Sequence, residues 1–520
     1  MRIFVLNPPF LPRYSRSQRS PAVTKSGTLY YPIWLAYATG VLEQAGHQVR
    51  LVDAPATGYN LTDVVHMAEE FQPRLLVLDT SVPSMHYDVQ VAAGLKQTLP
   101  ESFLVFVGLH VSALPEEMLR AAPVVDAVAR REYEYTLREL AEVLDGGGDL
   151  SQVLGLSFRV RPPGGNGTGP EIIHTPDRPP IEDLDALPFV SDVYRRHLRV
   201  EDYFYAITPW PSVTIITGRG CPYRCSFCLI PQTFQGHRYR RRSVENVVAE
   251  FEYVAEHLPQ VKHIFIEDDT FTVDKERARQ LGRELAWRNL KLTWAANARA
   301  DVDRETLEIM HAGGLRMLCV GFESGNQSVL NSIHKGITVP RMMQFMDDAR
   351  KAGVLIHGCF IMGNLGETPE SMQATLDLAK KINPDTAQFY PLMVYPGTTA
   401  FRWAEEQGYI SRGTDFREWI TEDGMHSTVI NQPGLSAKDV VAFCDYARRS
   451  FYLRPTYLWS KLKQVTTRPD EFQRVAKAAW HFLPHLFRRR GRPLVRSRAV
   501  AKEVKERASG GVEAAAAETK

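Results

Sequence analysis

The chain has 520 residues, of which 44% are hydrophobic and 23% charged, with a formal net charge of +2. That length exceeds one ordinary domain, so two or three are expected, and the balance excludes a disordered or fibrous protein. No run of about 18 apolar residues is present, so no membrane-spanning helix is expected. The opening Ile3-Phe4-Val5-Leu6 runs straight into Asn7-Pro8-Pro9 with no small-residue cleavage site, which reads as a first strand and not as a signal peptide.

Residues 1–145 alternate short apolar runs with amphipathic stretches. Strands are predicted at 3–6, 49–52, 75–78 and 104–107, with a weaker fifth near 124–128, and helices at 33–46, 61–71, 86–98 and 115–121. Continuous apolar runs mark strands covered on both faces, and alternation with helices marks an open doubly wound α/β fold of Rossmann-like type. Ligands of such folds sit beyond the C-terminal strand ends. Here those ends carry Asn7-Pro8-Pro9, Asp53-Ala54-Pro55, Thr80-Ser81 and Gly108-Leu109-His110. Residues 146–210 read as a hairpin with a mobile Pro- and Gly-rich tip, followed by a linker.

A second alternating series occupies 211–400. Its strands are predicted at 213–217, 263–266, 292–295, 317–321, 355–362 and 386–390, with helices such as 245–257, 275–288 and 372–382 between them. Six such repeats predict a partial (β/α)6 barrel related to the TIM barrel, with its chemistry at the strand C-termini. Residues 401–505 read as a mainly helical extension, and 506–520 as a disordered tail.

Of six cysteines, Cys221, Cys225 and Cys228 crowd together, while Cys319, Cys359 and Cys444 stand alone in apolar or helical surroundings. This usage points to a reducing, cytosolic protein with one metal site and not to a disulfide framework. Three thiolates at C-x3-C-x2-C on a loop after the first barrel strand can ligate three irons of a cubane, whereas ordinary electron-transfer clusters use four. The open iron is then free for a small molecule. The alternative is a non-catalytic zinc or iron–sulfur module, with His237 completing a zinc site. Zinc sites favour paired C-x2-C units, and no second pair is present.

The motif, with Phe227 just before its last cysteine, resembles the radical S-adenosylmethionine (SAM) superfamily. The resemblance implies a [4Fe–4S] cluster on Cys221, Cys225 and Cys228, SAM on the open iron, and reductive cleavage of SAM to a 5′-deoxyadenosyl radical. It further implies that Glu267, Asp268 and Asp269 meet the SAM amino group, as carboxylates suit an ammonium. Arg299, Glu323, Ser324 and Gly363 follow at later strand ends as further SAM residues. Residues 1–145 resemble the cobalamin-binding domain that precedes many such enzymes, which points to Thr80, Ser81, Gly108 and His110 as cobalamin contacts. The D-x-H-x-x-G motif is absent, so cobalamin would bind without a protein histidine on cobalt. Across roughly 1–460 the chain is most similar to hopanoid-associated radical SAM proteins, those linked to the cyclitol ether head group of bacteriohopanepolyols. Tyr31-Pro32-Ile33-Trp34, Leu187-Pro188-Phe189 and Gly236-His237-Arg238-Tyr239 carry that likeness.

The implied activity is functionalisation of an unactivated carbon of a hopanoid-like lipid or other secondary metabolite, by cyclisation, rearrangement or C-methylation. A cobalamin-dependent methyltransferase of a soluble natural product is the alternative. No catalytic acid or base is singled out. The expected partners are the substrate and an electron donor such as flavodoxin or ferredoxin, with no nucleic acid. Between 476 and 505, aromatic residues adjoin an Arg-rich cluster, a composition suited to an anionic membrane surface. Cytoplasmic location with peripheral contact at the inner membrane face is therefore expected.

Overall fold

The first apolar runs fold as parallel strands whose alternate residues enter two cores. The computed structural model describes residues 1–17, 19–160, 171–410, 415–467, 475–476 and 479–480. β1 (Arg2–Asn7), β2 (Gln48–Asp53), β3 (Leu75–Asp79), β4 (Phe103–Val107) and β5 (Ala127–Ala129) pair in parallel, in the order 2-1-3-4-5. Within β1, Ile3 and Val5 pack on one side with Leu35, Leu42 and Leu137, and Phe4 and Leu6 on the other with Val64, Ala68 and Leu95. The order reverses at β1, which is the switch point where ligands of such sheets bind.

Two expectations for this half change. The fifth strand is only Ala127–Ala129, and a helix not foreseen, Glu134–Gly146, follows it and buries Leu137 and Leu140. The hairpin β6 (Leu156–Val160) and β7 (Glu171–His174) joins the same sheet, with β6 antiparallel to β5, to make seven strands. Its tip, 161–170, lies outside the described residues. The segment read as a linker carries the helix Val190–His197, whose Val190, Val193 and Tyr194 are buried. Tyr194 stacks on Tyr31 at 4.3 Å.

The second series gives β8 (Ser212–Ile215), the short antiparallel pair β9 (Gly218–Arg219) and β10 (Arg240–Arg241), then β11 (His263–Ile266), β12 (Thr293–Ala298), β13 (Leu315–Glu323), β14 (Leu355–Met362) and β15 (Thr386–Pro391). β8 and β11 to β15 form one parallel sheet in sequential order, with β8 and β15 as its edges, so it remains open. Polar N-caps start the surrounding helices: Ser243, Asp274, Asp303, Thr338 and Thr368 each accept a backbone N–H from the first turn. The edge strand β15 is covered by the helix Ala437–Tyr452. Its Tyr452 hydroxyl accepts from Ala387 N and donates to Ala387 O, at 2.9 and 2.7 Å, and Arg448 donates to Phe389 O at 2.6 Å. These contacts satisfy backbone groups that an exposed edge would leave open.

No helix among the described residues is long and apolar enough to cross a membrane. Of the aromatic and basic segment, Trp480 is exposed. The residues of that segment beyond 480, and the expected tail, lie outside the described residues.

Candidate active site

The cysteine loop leaves β8 through a turn that only glycine allows. Gly220 has φ +84°, and a Cβ there would lie 2.2 Å from the Arg238 carbonyl oxygen. Gln232 then ties the loop together, its amide reaching the carbonyls of Cys225, Ser226 and Cys228 at 3.3, 3.2 and 2.8 Å. His237 donates from Nδ1 toward the carbonyls of Cys221 and Tyr223, at 3.1 and 3.2 Å. That role orients the loop. Cys221, Cys225 and Cys228 all line one cavity of about 540 Å³, so a cluster held by them would present its open iron to that space.

The acids after β11 divide as the chain turns past the strand end. Glu267 and Asp269 line the cavity. Asp268 turns away, and its carboxylate accepts from Thr217 N at 2.6 Å and Thr217 Oγ1 at 2.7 Å. Asp268 therefore anchors the strand leading to the cysteine loop. Tyr205 donates to Glu267 at 3.1 Å, and Asn297 donates to the Asp268 carbonyl at 3.1 Å. Burial lifts Asp269 to about 6, opposed by the nearby Arg19.

Arg299 and Glu323 also face the cavity. Arg299 lies 3.7 Å over the Tyr223 ring and donates to the Lys335 carbonyl at 2.5 Å. Glu323 has φ +64°, an uncommon backbone for a non-glycine residue, and its Oε1 accepts from buried Lys335 Nζ at 2.7 Å. Gly321 leaves the room this needs, because a Cβ there would stand 2.2 Å from that oxygen. The other oxygens of the two acids, Asp269 Oδ2 and Glu323 Oε2, are buried without a hydrogen-bond partner. Buried acceptors of this kind are normally satisfied, and two of them beside the thiols suit the ammonium and hydroxyls of SAM. Ser324 and Gly363 lie away from the cavity lining. Ser324 pairs with Thr375 Oγ1 at 3.1 Å, and Gly363 N donates to Glu367 at 2.6 Å.

The N-terminal domain enters the cavity through Arg19, Ser20, Thr24, Lys25, Thr28 and Tyr30, none of them anticipated from sequence. Thr80, Ser81, Gly108 and His110 cluster instead at the C-terminal ends of β3 and β4. Thr80 Oγ1 donates to Val107 O at 2.6 Å, and Ser81 Oγ lies 2.9 Å from the Tyr14 hydroxyl and 2.7 Å from Ser84 Oγ. Gly108, at φ +116°, is pressed against the Thr80 carbonyl, 2.6 Å from where a Cβ would be. Burial brings His110 down to about 4, so its ring is neutral. The Thr80 and Ser81 hydroxyls are buried and bonded within the protein, and none of the four residues lines the cavity that holds the cysteines. The loop after β1, Asn7-Pro8-Pro9, offers no histidine for cobalt.

One further grouping was hidden in the sequence. Cys319 and Cys359, which read as isolated, bring their sulfurs to 3.7 Å. The signal was present in the period of two along β13 and β14, which puts residues 319, 321 and 323, and 357, 359 and 361, on the cavity side.

Comparison with known proteins agrees with this architecture. A family model described as the radical SAM superfamily matches residues 215–379, and one described as a B12 binding domain matches residues 19–141. An uncharacterized methyltransferase of Pyrococcus horikoshii is 32% identical over 434 residues, covering 83% of this chain and 90% of that protein. The cytidylyl-2-hydroxyethylphosphonate methyltransferase of Streptomyces wedmorensis is 27% identical over 513 residues, covering 87% and 93%. Among solved structures, the cobalamin-dependent SAM radical enzyme OxsB, with aqua-cobalamin and SAM bound, superposes with a TM-score of 0.68 at 16% identity, over 94% of this chain and 72% of that one. The fold is thus shared along nearly the whole chain, and the chain belongs to the radical SAM superfamily, as a member in which a B12-binding domain precedes the radical SAM domain.

Proposed function

We propose that this radical SAM enzyme is a cobalamin-dependent methyltransferase acting on an unactivated carbon of an amphiphilic, lipid-like molecule. The observation that carries the reading is the cavity itself. One end holds the three thiols and the charged groups Glu267, Asp269, Arg299 and Lys335, and the same cavity is lined by Phe389, Leu392, Met393, Tyr457 and Leu458. Its boundary at the helix Pro455–Thr467 lies beside the exposed side chains Leu458, Trp459 and Leu462. Exposed apolar groups clustered at a cavity suit entry from a membrane surface.

When bound, the [4Fe–4S] cluster and SAM supply reductive cleavage chemistry, and cobalamin supplies a transferable methyl group. Cys221, Cys225 and Cys228 would hold the cluster, and Thr80, Ser81 and Gly108 would line the corrinoid rim. Glu267, Asp269 and Glu323 orient the cationic and hydroxyl groups of SAM, and the Arg299 guanidinium suits its carboxylate. The aromatic wall excludes water from the reacting carbon. An electron donor of the flavodoxin or ferredoxin type must supply the electron from outside, and the reducing cytosol at the inner membrane face is the fitting location. A soluble substrate is the second reading, favoured by the likeness to the phosphonate methyltransferase over most of both chains.

Two measurements test this. Anaerobically purified, cluster-loaded protein incubated with hydroxocobalamin should retain a corrinoid spectrum through gel filtration. A protein emerging free of corrinoid overturns the cobalamin reading. Full-length protein should sediment with anionic vesicles, and replacing Leu458, Trp459 and Leu462 together by Gln should weaken that binding. Equal binding by both proteins, or none by either, leaves the soluble substrate as the better reading.

A further inference from the structure

Cys319 of β13 and His357 of β14 are direct cross-strand partners, and Cys359 follows two residues later on the same strand. All three line the reaction cavity. One ligand atom from each lies within 4.8 Å of the other two, and the sulfurs are 3.7 Å apart. Two thiolates on one tetrahedral zinc, at Zn–S of about 2.3 Å, stand about 3.8 Å from each other. His357 Nδ1 lies 2.7 Å from Thr386 Oγ1. A hydrogen bond at one ring nitrogen fixes a metal-binding histidine and leaves the other for the ion; the Gln388 side chain, which also bonds this ring, would give way to it.

We propose that Cys319, His357 and Cys359 form a zinc site inside the barrel, separate from the cluster loop, with its fourth position open to the cavity. Three protein ligands and one open position is the pattern of zinc sites that bind an exogenous group. Two thiolates neutralise the ion, which lowers the cost of placing it in a partly enclosed space. The open position takes an oxygen, nitrogen or sulfur donor of the substrate and anchors it beneath the reactive end of the cavity. The inference rests on the three side chains alone and holds whichever carbon is modified.

The test is metal analysis and zinc K-edge X-ray absorption on full-length, anaerobically purified holoenzyme supplied with iron and zinc. The expected result is one zinc per chain beside the cluster iron. Its shell should contain two sulfurs at about 2.3 Å and one imidazole nitrogen at about 2.0 Å. Cys319→Ser and His357→Ala should lose the zinc and keep the iron, and retained iron reports that the barrel has folded. Cys225→Ala should do the reverse. Absence of zinc, a shell of three sulfurs from the cluster loop, zinc retained in Cys319→Ser, or a Cys319–Cys359 disulfide in the anaerobic protein would each overturn the proposal. Should both variants fail to fold, the composition of the wild-type shell still decides the matter.

Discussion

Arg19 of the N-terminal domain places Nη1 3.1 Å from Oε1 of Glu267 at the end of β11, and its Nη2 reaches Asp269 Oδ1 at 3.4 Å. The domain contact thus sets a cation against the pair of acids that suits the ammonium of SAM. Glu267→Gln should weaken SAM binding by roughly tenfold or more, since a hydrogen bond to a charged group contributes about 1.5–3 kcal/mol. Arg19→Gln removes a competing cation and should leave the affinity unchanged or higher. Calorimetric titration of SAM into anaerobic, cluster-loaded protein reads both effects. Weaker binding by Arg19→Gln would mean that Arg19 supports the acids and does not compete for them.

Replacing Cys221, Cys225 or Cys228 by Ala should abolish SAM cleavage and most iron binding, because two thiolates do not hold a site-differentiated cubane. Cys444 lies buried on the helix Ala437–Tyr452, away from the cysteine loop in sequence, and burial pushes its thiol up to about 12. Its replacement by Ala should leave iron unchanged, as should changes at Cys319 and Cys359. Iron assays on the purified variants decide it, and equal losses in the two groups would refute the ligand set.

Arg219 stands two residues before Cys221 and is fully buried. It donates to Glu134 of the N-terminal domain at 2.6 Å and lies 5.2 Å from the rings of Trp34 and Tyr37. Removing one partner of a buried pair costs about 3–5 kcal/mol where the charge is left uncompensated, and less here because Glu132 Oε2 remains 3.7 Å from Arg219 Nη1. Glu134→Gln should therefore lower the melting temperature and reduce cluster occupancy, since the strain falls on the strand that leads into the cysteine loop. A melting temperature within error of wild type would show that the interface tolerates the loose charge.

Asp79 supplies a pH test. Its carboxyl is raised from 3.8 to about 7, chiefly by burial, with Arg16 opposing. The folded value exceeds the unfolded one, so the fold favours the protonated form. The associated stability is present in full below about pH 4 and is lost as the pH rises through 7. Asp79→Asn keeps an oxygen for the Thr80 N–H, which Asp79 accepts at 2.9 Å. It should flatten this slope and stabilise the protein at pH 8 by about 1–3 kcal/mol. Thermal unfolding from pH 5 to 8 measures it, and parallel curves for the two proteins would exclude Asp79 as the source.

Much of this architecture was legible in the order of residues because it depends on local pattern. Apolar runs without alternation, such as Leu75 to Leu78, announce strands covered on both faces, and C-x3-C-x2-C places three thiols on one loop whatever surrounds it. Facing was less legible: Glu267, Asp268 and Asp269 are adjacent acids of one type, and only the turn of the chain past β11 sends Asp268 to Thr217 and its neighbours to the cavity. Least legible were partners brought together by register or by domain docking. Cys319 and Cys359 are 40 residues apart and meet because β13 and β14 pair with Cys319 opposite His357. Arg19 meets Glu267 across 248 residues because the segment that follows β1 reaches the cavity at the strand ends of the second sheet. Spacing in the sequence thus determined which chemistry the chain carries, and the tertiary packing decided which side chains face it, because a side chain's direction is set by strand register and by the surface packed against it.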